Sequence, residues 1–359
     1  MRVLHVHSGN LYGGVETLLL SLARFRALAP SMDMSVALTS EGRIAADLRR
    51  AGVPVTILGD ARLSRPFSVR RSRRALASLL QSQRPDVMVC HQAWPLALFG
   101  RVAHRKSVAL VLWMHMAASR HWLDWLSWRV NPGTVVCNSR FTASTLPKTQ
   151  ARVEVVYAPI EAGTARAGHA AASHGHAVII QVSRMEPLKG HVVLINALAL
   201  LRDRTGWTCR LAGGAQRVHE AQYMEALRAQ AAALGIADRV EFLGERSDVQ
   251  RLLADADIYC QPNIEPEAFG ISLIEAMAAG LPVVTSALGG AKEIVDDSCG
   301  VLVEPRDAEK LASALSALLD DRGRCERLGA NGPSRARALC DPAAQMPRIA
   351  EILHRAAAC

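Results

Sequence analysis

The chain has 359 residues, half of them hydrophobic, and a formal net charge of +9. This length predicts two domains, each with its own core. The N-terminal segment is too short and too polar for a signal peptide, and no apolar run approaches the roughly 20 residues that span a bilayer. We therefore expect neither a signal peptide nor a membrane-spanning helix.

The eight cysteines have no paired or ligand-like spacing. This pattern argues against a structural zinc site and against a disulfide framework, and it favours the cytosol. Four of the cysteines lie in apolar runs that resemble strands, where a small buried thiol is the usual outcome. We predict buried thiols at Cys90, Cys137, Cys209 and Cys260.

Seven candidate strands alternate with helical patterns through the first 160 residues. They cover residues 3–7, 35–39, 55–58, 86–91, 109–115, 135–138 and 153–157. Such alternation is typical of a wound, parallel sheet with helices on its faces. We assign residues 1–162 to this first, Rossmann-like domain.

A second series of elements follows a small, polar segment. Residues 163–176 have no convincing apolar face and read as a linker. Candidate strands then cover residues 178–182, 208–212, 240–243, 258–261 and 282–285, with helices near 191–203, 220–234, 248–256 and 272–279. Residues 177–341 therefore form a second Rossmann-like domain. Two such α/β domains predict facing sheets with a cleft, where ligands bind beyond the carboxyl ends of the strands.

The net positive charge of the chain arises in the first domain. Residues 1–160 hold 21 Lys and Arg against 8 Asp and Glu, a net +13, while the remainder holds 21 against 25, a net −4. Its densest part is the arginine-rich stretch 62–74, which favours either an anionic partner or a solvated helix face. Trp122, Trp125 and Trp128 recur every third residue nearby, as core packing or as an interfacial anchor, and we favour core packing.

The segment from Glu267 to Glu275 is the most informative stretch of the sequence. It reads as a loop that enters a helix, with Gly270 free to adopt unusual angles, Ser272 as a cap and Gly280 as a stop. The first helix amides could hold a phosphate, and the carboxylate one turn inside could accept hydrogen bonds from a vicinal diol. The alternative is a buried apolar helix with two solvated acids. The candidate phosphate contacts are Phe269, Gly270, Ile271 and Ser272.

Other candidate residues fall in loops that follow strands. Arg184 and Lys189 lie in the loop after the strand 178–182, where a fork and a point charge could meet a diphosphate. The strand 208–212 ends at a glycine pair that includes Gly214, whose missing side chains permit close approach of a ligand.

Two further candidates lie in the first domain. A glycine turn with Gly13 and Gly14 follows the first strand and opens a helix, although it lacks the spacing of a dinucleotide-binding fingerprint. His115 ends another strand. Taken alone, a histidine in this apolar context is more often structural than catalytic.

These segments together resemble the retaining, nucleotide-sugar-dependent glycosyltransferases of family 4, which have the GT-B fold. The resemblance is carried by residues 267–275, 280–284, 289–295, 183–190 and 13–16. It implies that Glu275 holds the donor ribose, that Glu267 contacts the donor sugar, and that Arg184 and Lys189 neutralise the pyrophosphate. It also implies that Gly13 and Gly14 approach the donor phosphate and the acceptor, that His115 contacts the donor sugar, and that residues 342–359 return to the first domain.

The resemblance implies a transferase that moves a sugar from a nucleotide sugar to an acceptor without a metal or other cofactor. UDP is slightly favoured over GDP as the donor nucleotide. The expected acceptor is a glycan or lipid-linked intermediate of polysaccharide or lipopolysaccharide synthesis, reached in the cytoplasm at the inner face of an anionic membrane. No nucleic-acid reader motif accompanies the basic charge. A nucleotide-sugar epimerase is the alternative, and a glycoside hydrolase fits the carboxylate pair less well.

Overall fold

The structure is a computed structural model that describes residues 1–9, 13–119, 121–161 and 176–358. Its contacts divide the chain into one unit of Met1–Pro159 with Pro342–Cys359 and a second unit of Ile160–Asp341. The N-terminal part of the first unit therefore ends at Pro159, three residues before the predicted end at residue 162. The next residue, Ile160, donates its amide hydrogen to the Cys340 carbonyl of the second unit at 2.9 Å. The predicted linker lies outside the described residues except for His176.

The first unit contains a seven-stranded, wholly parallel sheet. All seven predicted strands are confirmed, with ends displaced by at most about two residues. The strands are β1 (Arg2–His7), β2 (Asp33–Leu38), β3 (Val55–Ile57), β4 (Val87–His91), β5 (Ala109–Met114), β6 (Thr134–Cys137) and β7 (Arg152–Val155). Their order is β3-β2-β1-β4-β5-β6-β7, and β4 and β6 are buried along their whole length.

Helices flank this sheet as its apolar stripes require. They are α1 (Gly14–Arg24), α2 (Arg43–Arg50), α3 (Pro66–Gln83), α4 (Ala93–Arg105), α5 (Trp122–Trp128) and α6 (Arg140–Ser144). The last helix of the chain, Pro342–Ala357, also belongs to this unit and packs against β4 and β5. No helix in the described part of the chain is both long enough and apolar enough to cross a membrane.

The second unit contains a six-stranded parallel sheet of order β10-β9-β8-β11-β12-β13. Its strands are β8 (Ala177–Val182), β9 (Trp207–Ala212), β10 (Val240–Gly244), β11 (Ile258–Gln261), β12 (Val283–Ser286) and β13 (Gly300–Val303). Strand β13 is missing from the sequence prediction, because a run of four residues that opens with glycine carries little strand signal. Its neighbour β12 fixes it by parallel pairing.

The helices of the second unit are α7 (His191–Leu200), α8 (Val218–Ala233), α9 (Val249–Ala254), α10 (Ile271–Ala278), α11 (Ala291–Ile294), α12 (Ala308–Asp320) and α13 (Arg322–Cys340), so that Pro342–Ala357 is α14. The four predicted helices of this unit are confirmed as α7 to α10. Helices α11, α12 and α13 were not predicted.

Each sheet reverses its strand order once. The reversal lies between β1 and β4 in the first unit and between β8 and β11 in the second. At such a point the loops that leave the two neighbouring strands turn to opposite faces, and a crevice opens at their carboxyl ends. Each unit therefore has one edge position at which its fold favours a ligand.

Two sequence expectations about burial can be judged. The four cysteines predicted as buried thiols are all buried, and the seven described cysteines are free thiols. The tryptophan stripe is not core packing as a whole. Trp128 packs against the core of the first unit, but Trp122 and Trp125 are 53% and 60% exposed, because α5 turns them away from the sheet.

Candidate active site

A cluster of polar side chains occupies the reversal point of the second sheet. Lys189 Nζ lies 2.7 Å from Glu267 Oε2, and Asn263 Nδ2 donates to the same oxygen at 2.9 Å. Gln261, the last residue of β11, donates to Asn263 Oδ1 at 3.0 Å. On the β8 side, Gln181 Nε2 donates to the Lys189 carbonyl at 2.9 Å and holds that loop in place. Lys189 and Glu267 were both predicted as site residues. They lie 78 residues apart in the sequence and are direct partners in the structure.

Glu267 is held as a charged carboxylate. Burial alone would raise its pKa, but the Lys189 ammonium and the hydrogen bonds from Lys189, Asn263 and the Ala268 amide together hold the pKa below its ordinary value. The side chains of Lys189 and Glu267 are largely buried. The cluster therefore carries a preformed pair of opposite charges at the sheet edge.

The start of α10 depends on Gly270. This residue has a φ of +95°, and a Cβ placed on it would lie 2.8 Å from Leu273 Cδ1, so both backbone and space require glycine. The helix begins at Ile271, and the Ile271 and Ser272 amides make no hydrogen bond with other described residues. These two amides are free to point at an anion.

The predicted cap at Ser272 is wrong. Gly270 is the N-cap residue, and Ser272 already lies inside the helix. Its hydroxyl instead donates to Gln261 Oε1 at 3.1 Å, which ties the helix start to the end of β11. The predicted helix stop is confirmed, since the helix ends at Ala278 and Gly280 follows with a φ of +80°.

Glu275 lies one turn inside α10 and is partly buried. Desolvation raises the pKa of its carboxyl to about 7. Its carboxylate has no hydrogen-bond or ion-pair partner among the residues that the structure describes. A desolvated acid without a partner is suited to receive donors from a ligand, such as the two hydroxyls of a diol.

Arg184 is held apart from this cluster. Its Nη2 lies 2.8 Å from Glu186 Oε1, and its Nη1 lies 3.9 Å from Glu220 Oε1. Glu220 is fully buried, and its Oε2 accepts from the Gln216 amide at 2.6 Å. The structure therefore joins Lys189 to Glu267 but engages Arg184 with a different pair of carboxylates.

The glycine pair after β9 has a structural role that the sequence did not predict. A Cβ on Gly214 would lie 2.7 Å from the Glu245 Cβ, and one on Gly213 would lie 1.8 Å from the Ser183 carbonyl oxygen. At both positions, neighbouring residues already occupy the space that a Cβ would need. The close approach that requires glycine here is that of neighbouring backbone.

The reversal point of the first sheet holds a row of three histidines. His5 lies in β1, His91 ends β4, and His115 follows β5. His5 Nδ1 lies 2.9 Å from His91 Nε2, and His91 Nδ1 lies 2.8 Å from His115 Nε2. Burial lowers the pKa of His5 and His115 to about 3 and that of His91 far below its ordinary value, so all three rings are neutral at pH 7.

The glycine turn of the first unit is hydrogen-bonded to Glu16, which forms a buried pair with His7. Gly13 is the N-cap of α1 and Gly14 its first residue, while residues 10–12 of the turn lie outside the described residues. Glu16 Oε2 accepts from the Gly13 amide at 2.9 Å, and its Oε1 lies 2.6 Å from His7 Nε2. The Gly13 amide is thus satisfied within the protein.

Several residues of these clusters were missed by sequence reasoning. They share one signal, a polar side chain at the carboxyl half of a buried central strand or in the loop that leaves it. A polar residue in that position must find a partner, and ligands or other polar residues supply one. The missed residues are His5, His91, Gln181, Gln261 and Asn263.

Comparison with known proteins decides the family. The model for glycosyltransferase family 4 matches residues 12–163, and the model for group 1 glycosyl transferases matches residues 169–335. The chain belongs to the family 4 glycosyltransferases. Its fold is that of GT-B proteins: the crystal structure of HepE from Anabaena with UDP-glucose matches with a TM-score of 0.87 and 23% identity, over 99% of this chain and 100% of that one.

Two curated relatives match over part of the chain. A GDP-mannose-dependent α-(1-6)-phosphatidylinositol monomannoside mannosyltransferase of Mycobacterium tuberculosis is 34% identical over 164 residues, which is 43% of this family 4 chain and 41% of that protein. The lipopolysaccharide core biosynthesis mannosyltransferase LpsB of Rhizobium meliloti is 33% identical over 156 residues, 42% of this chain and 44% of that protein. Both are transferases, and neither supports the epimerase alternative.

Proposed function

We propose that this family 4 protein transfers a sugar from a nucleoside diphosphate sugar to a glycan or lipid-linked acceptor. The observation that carries the proposal is the cluster at the reversal point of the second sheet. It combines the Lys189–Glu267 pair with the first amides of α10 and with the Glu275 carboxylate, neither of which is bonded by any other group in the described ranges. A nucleoside diphosphate sugar offers a matching series of groups: sugar hydroxyls, a diphosphate and a ribose diol.

In this proposal each group of the cluster has a separate task. The α10 amides with Lys189 stabilise the negative charge that grows on the diphosphate when the bond to the sugar breaks. Arg184, outside the cluster in the free protein, adds a second cation by exchanging Glu186 for the diphosphate. Glu267 accepts from hydroxyls of the sugar, and Glu275 accepts from the ribose diol. We further propose retention of configuration and no requirement for a metal, because cationic side chains and helix amides supply the charge stabilisation that a metal would otherwise give.

The donor nucleotide is the first point to test. The relatives divide, since one is named for GDP-mannose and the HepE crystal contains UDP-glucose. We keep UDP as the first candidate and GDP as the second.

A thermal-shift and calorimetry series with UDP, GDP and ADP tests the donor site. A nucleotide at one hundred times its Kd should stabilise the protein by about 2.7 kcal/mol. Glu275→Gln should weaken binding of that nucleotide, whereas Glu309→Gln, an exposed site on α12, should leave it unchanged. Equal binding by the two variants would contradict the ribose role of Glu275. Donor consumption that requires an acceptor then separates a transferase from an epimerase.

We also propose that the first unit contacts an anionic membrane in the cytoplasm, where a lipid-linked acceptor resides. A groove of about 650 Å³ lies between α3 and α4, and its cationic lining consists of Arg70, Arg73, Arg74, Arg105 and Lys106. Desolvation and the nearby Arg101 and Arg105 charges lower the pKa of Arg73, as expected for like charges gathered together. None of the five lining cations forms an ion pair within the described part of the chain.

Apolar side chains accompany these charges. Leu63, Pro66, Val69, Ala77 and Val102 also line the groove, and Phe67 beside it is 85% exposed. Cations without carboxylate partners, next to exposed apolar surface, suit phosphate headgroups with acyl chains behind them.

Vesicle co-sedimentation tests this contact with a charge-matched control. Arg70→Gln with Arg74→Gln should weaken binding to phosphatidylglycerol vesicles roughly thirtyfold, since each cation near an anionic surface contributes about 1 kcal/mol. Lys148→Gln with Arg152→Gln removes the same charge from exposed positions outside the groove and should have a much smaller effect. Binding that ignores both salt and lipid charge would contradict the contact.

A further inference from the structure

The histidine row of the first unit is a chain of hydrogen bonds with one closed end and one open end. Its closed end is His5 Nε2, a buried atom to which no residue that the structure describes is hydrogen-bonded. Its open end is His115, whose ring is only partly buried and whose Nδ1 makes no hydrogen bond with a described residue. His91 stands between them with both nitrogens engaged.

Because the three rings are neutral, each carries one ring hydrogen, and the chain has only two consistent arrangements. In the first, hydrogens run from His115 Nε2 toward His91 and His5, and the last one lies on His5 Nε2. In the second, hydrogens run from His5 Nδ1 toward His91 and His115, and the last one lies on His115 Nδ1.

The closed end distinguishes the two arrangements. The first places a buried N–H on His5 Nε2 with nothing to accept it, whereas the second leaves only a lone pair there. Orphaned buried N–H groups are the rarer of the two in folded proteins. The second arrangement also places its terminal hydrogen on the ring that solvent or a ligand can reach.

Packing keeps the rings in line for this chain. The His5, Trp113 and His115 rings are tilted by 28°, 20° and 19° from the plane of the His91 ring, with centroids 5.2, 5.7 and 5.1 Å from its centroid. His5 and His115 therefore meet His91 edge to edge, as the nitrogen–nitrogen distances of 2.9 and 2.8 Å require. His5, His91 and Trp113 are all buried. The middle ring therefore has little freedom to turn and exchange its two nitrogens.

We propose that His91 and His5 are positioning residues that hold His115 as the tautomer with hydrogen on Nδ1, so that this N–H donates to an oxygen of the sugar substrate. The inference rests on the proposed function for the identity of that oxygen. The tautomer itself is a property of the free protein. His115 would contact substrate, whereas His91 and His5 would act only through it.

Nitrogen-15 spectra of the histidine-labelled free protein test the tautomer directly. Long-range correlations should show a hydrogen-bearing Nδ1 and a lone-pair Nε2 for His115, with the same pattern for His91 and His5. The opposite pattern at His115, or a single averaged shift for its two nitrogens, would overturn the proposal.

Substitutions at His91 test whether the row sets that tautomer. His91→Leu removes the donor to His115 and should give averaged nitrogen shifts there, while His91→Asn keeps an amide donor near the Nδ1 position and should retain the wild-type pattern. His104→Asn is the matched control, since His104 bonds the Val130 carbonyl outside the row and should leave His115 unmoved. An unaltered His115 in His91→Leu would contradict the role of His91. If that variant does not fold, His5→Leu replaces it, and the wild-type spectrum still decides the direction.

Kinetics then connect the tautomer to transfer. His91→Leu should lower the rate of sugar transfer at least about tenfold, the effect of one hydrogen bond to a substrate oxygen, and His91→Asn should recover most of it. Because the spectra need no donor, failure of the transferase proposal leaves the tautomer result standing. Active protein with hydrogen on His115 Nε2 would overturn this inference alone.

Discussion

The two sheets place polar clusters at the same kind of position but build them from different chemistry. In the second unit, the reversal point between β8 and β11 holds a charged pair, Lys189 and Glu267. In the first unit, the reversal point between β1 and β4 holds neutral imidazoles in a row. A charged pair can exchange its internal partner for the phosphates and hydroxyls of a ligand. A neutral row instead offers one hydrogen bond of fixed direction.

The two units also differ in how their surface Lys and Arg side chains are paired with carboxylates. Lys and Arg side chains of the second unit commonly face a carboxylate, as in the Arg204–Asp320, Arg210–Glu241 and Arg246–Asp248 pairs. The groove cations of the first unit have no such partners among the described residues. The first unit also forms ion pairs elsewhere, as Arg49 does with Glu41. The contrast with the second unit therefore lies in the groove, where several described cations are gathered without a carboxylate.

Breaking the charged pair should have the largest effect on stability. Lys189→Met leaves Glu267 largely buried with its charge uncompensated, and we expect a loss of about 3 kcal/mol in the free energy of unfolding. Adding Glu267→Gln should restore most of it, because the uncompensated charge is then gone. Urea unfolding followed by circular dichroism measures both. A double variant as unstable as Lys189→Met would show that shape rather than charge dominates the cluster.

Glu275 should give a pH-dependent effect of nearly that size. Its folded-state pKa of about 7 lies above the ordinary value of 4.5, so the folded protein binds the extra proton and its stability falls as pH rises from about 4.5 to 7. Glu275→Gln removes that cost and should stabilise the protein by on the order of 3 kcal/mol at pH 8, and by much less at pH 5.

Ligand binding sharpens the same prediction. Hydroxyl donors favour the ionised form of Glu275, so nucleotide affinity should rise with pH up to about 7 and then level off. Calorimetry in buffers of different ionisation enthalpy should detect proton release at pH 6. Pure stabilisation by Glu275→Gln without loss of nucleotide affinity would assign this acid no role in binding.

Removing one histidine from the row of His5, His91 and His115 should lower the free energy of unfolding by less than the changes above. His91→Leu leaves His5 Nδ1 and His115 Nε2 without partners, and we expect about 1–3 kcal/mol of destabilisation. Unlike Glu275→Gln, this variant should show the same loss at pH 6 and pH 8, because burial keeps the rings neutral at both. A strong pH dependence would show that a charged imidazole is part of the native row.

The groove cations should contribute least to stability. Arg70→Gln with Arg74→Gln removes exposed charges that lie among other cations, so the free energy of unfolding should change by no more than about 0.5 kcal/mol. Thermal unfolding at low and high salt measures it. A loss above about 1 kcal/mol would mean that these arginines stabilise the fold rather than await an anion.

Sequence reasoning predicted the fold well because the fold depends on local pattern. Short apolar runs alternating with amphipathic segments predict every strand except β13, and the resemblance carried by residues 267–275 predicts the family that comparison then confirmed. The unusual backbone angles of Gly270 and the helix stop at Gly280 were correctly predicted, because both depend on only a few residues of chain.

Only the tertiary structure could show which polar side chains contact each other. The Lys189–Glu267 pair joins residues 78 positions apart, the His5–His91 contact joins residues 86 apart, and Arg184 turned to Glu186 and Glu220 instead of joining Lys189. Ser272 does not cap α10 as predicted, because its hydroxyl donates to Gln261 on β11. The physical reason is the same in each case. Local sequence fixes backbone angles and which face is apolar, whereas the partner of a polar side chain depends on which strands lie side by side, and that is set by the packing of the whole sheet.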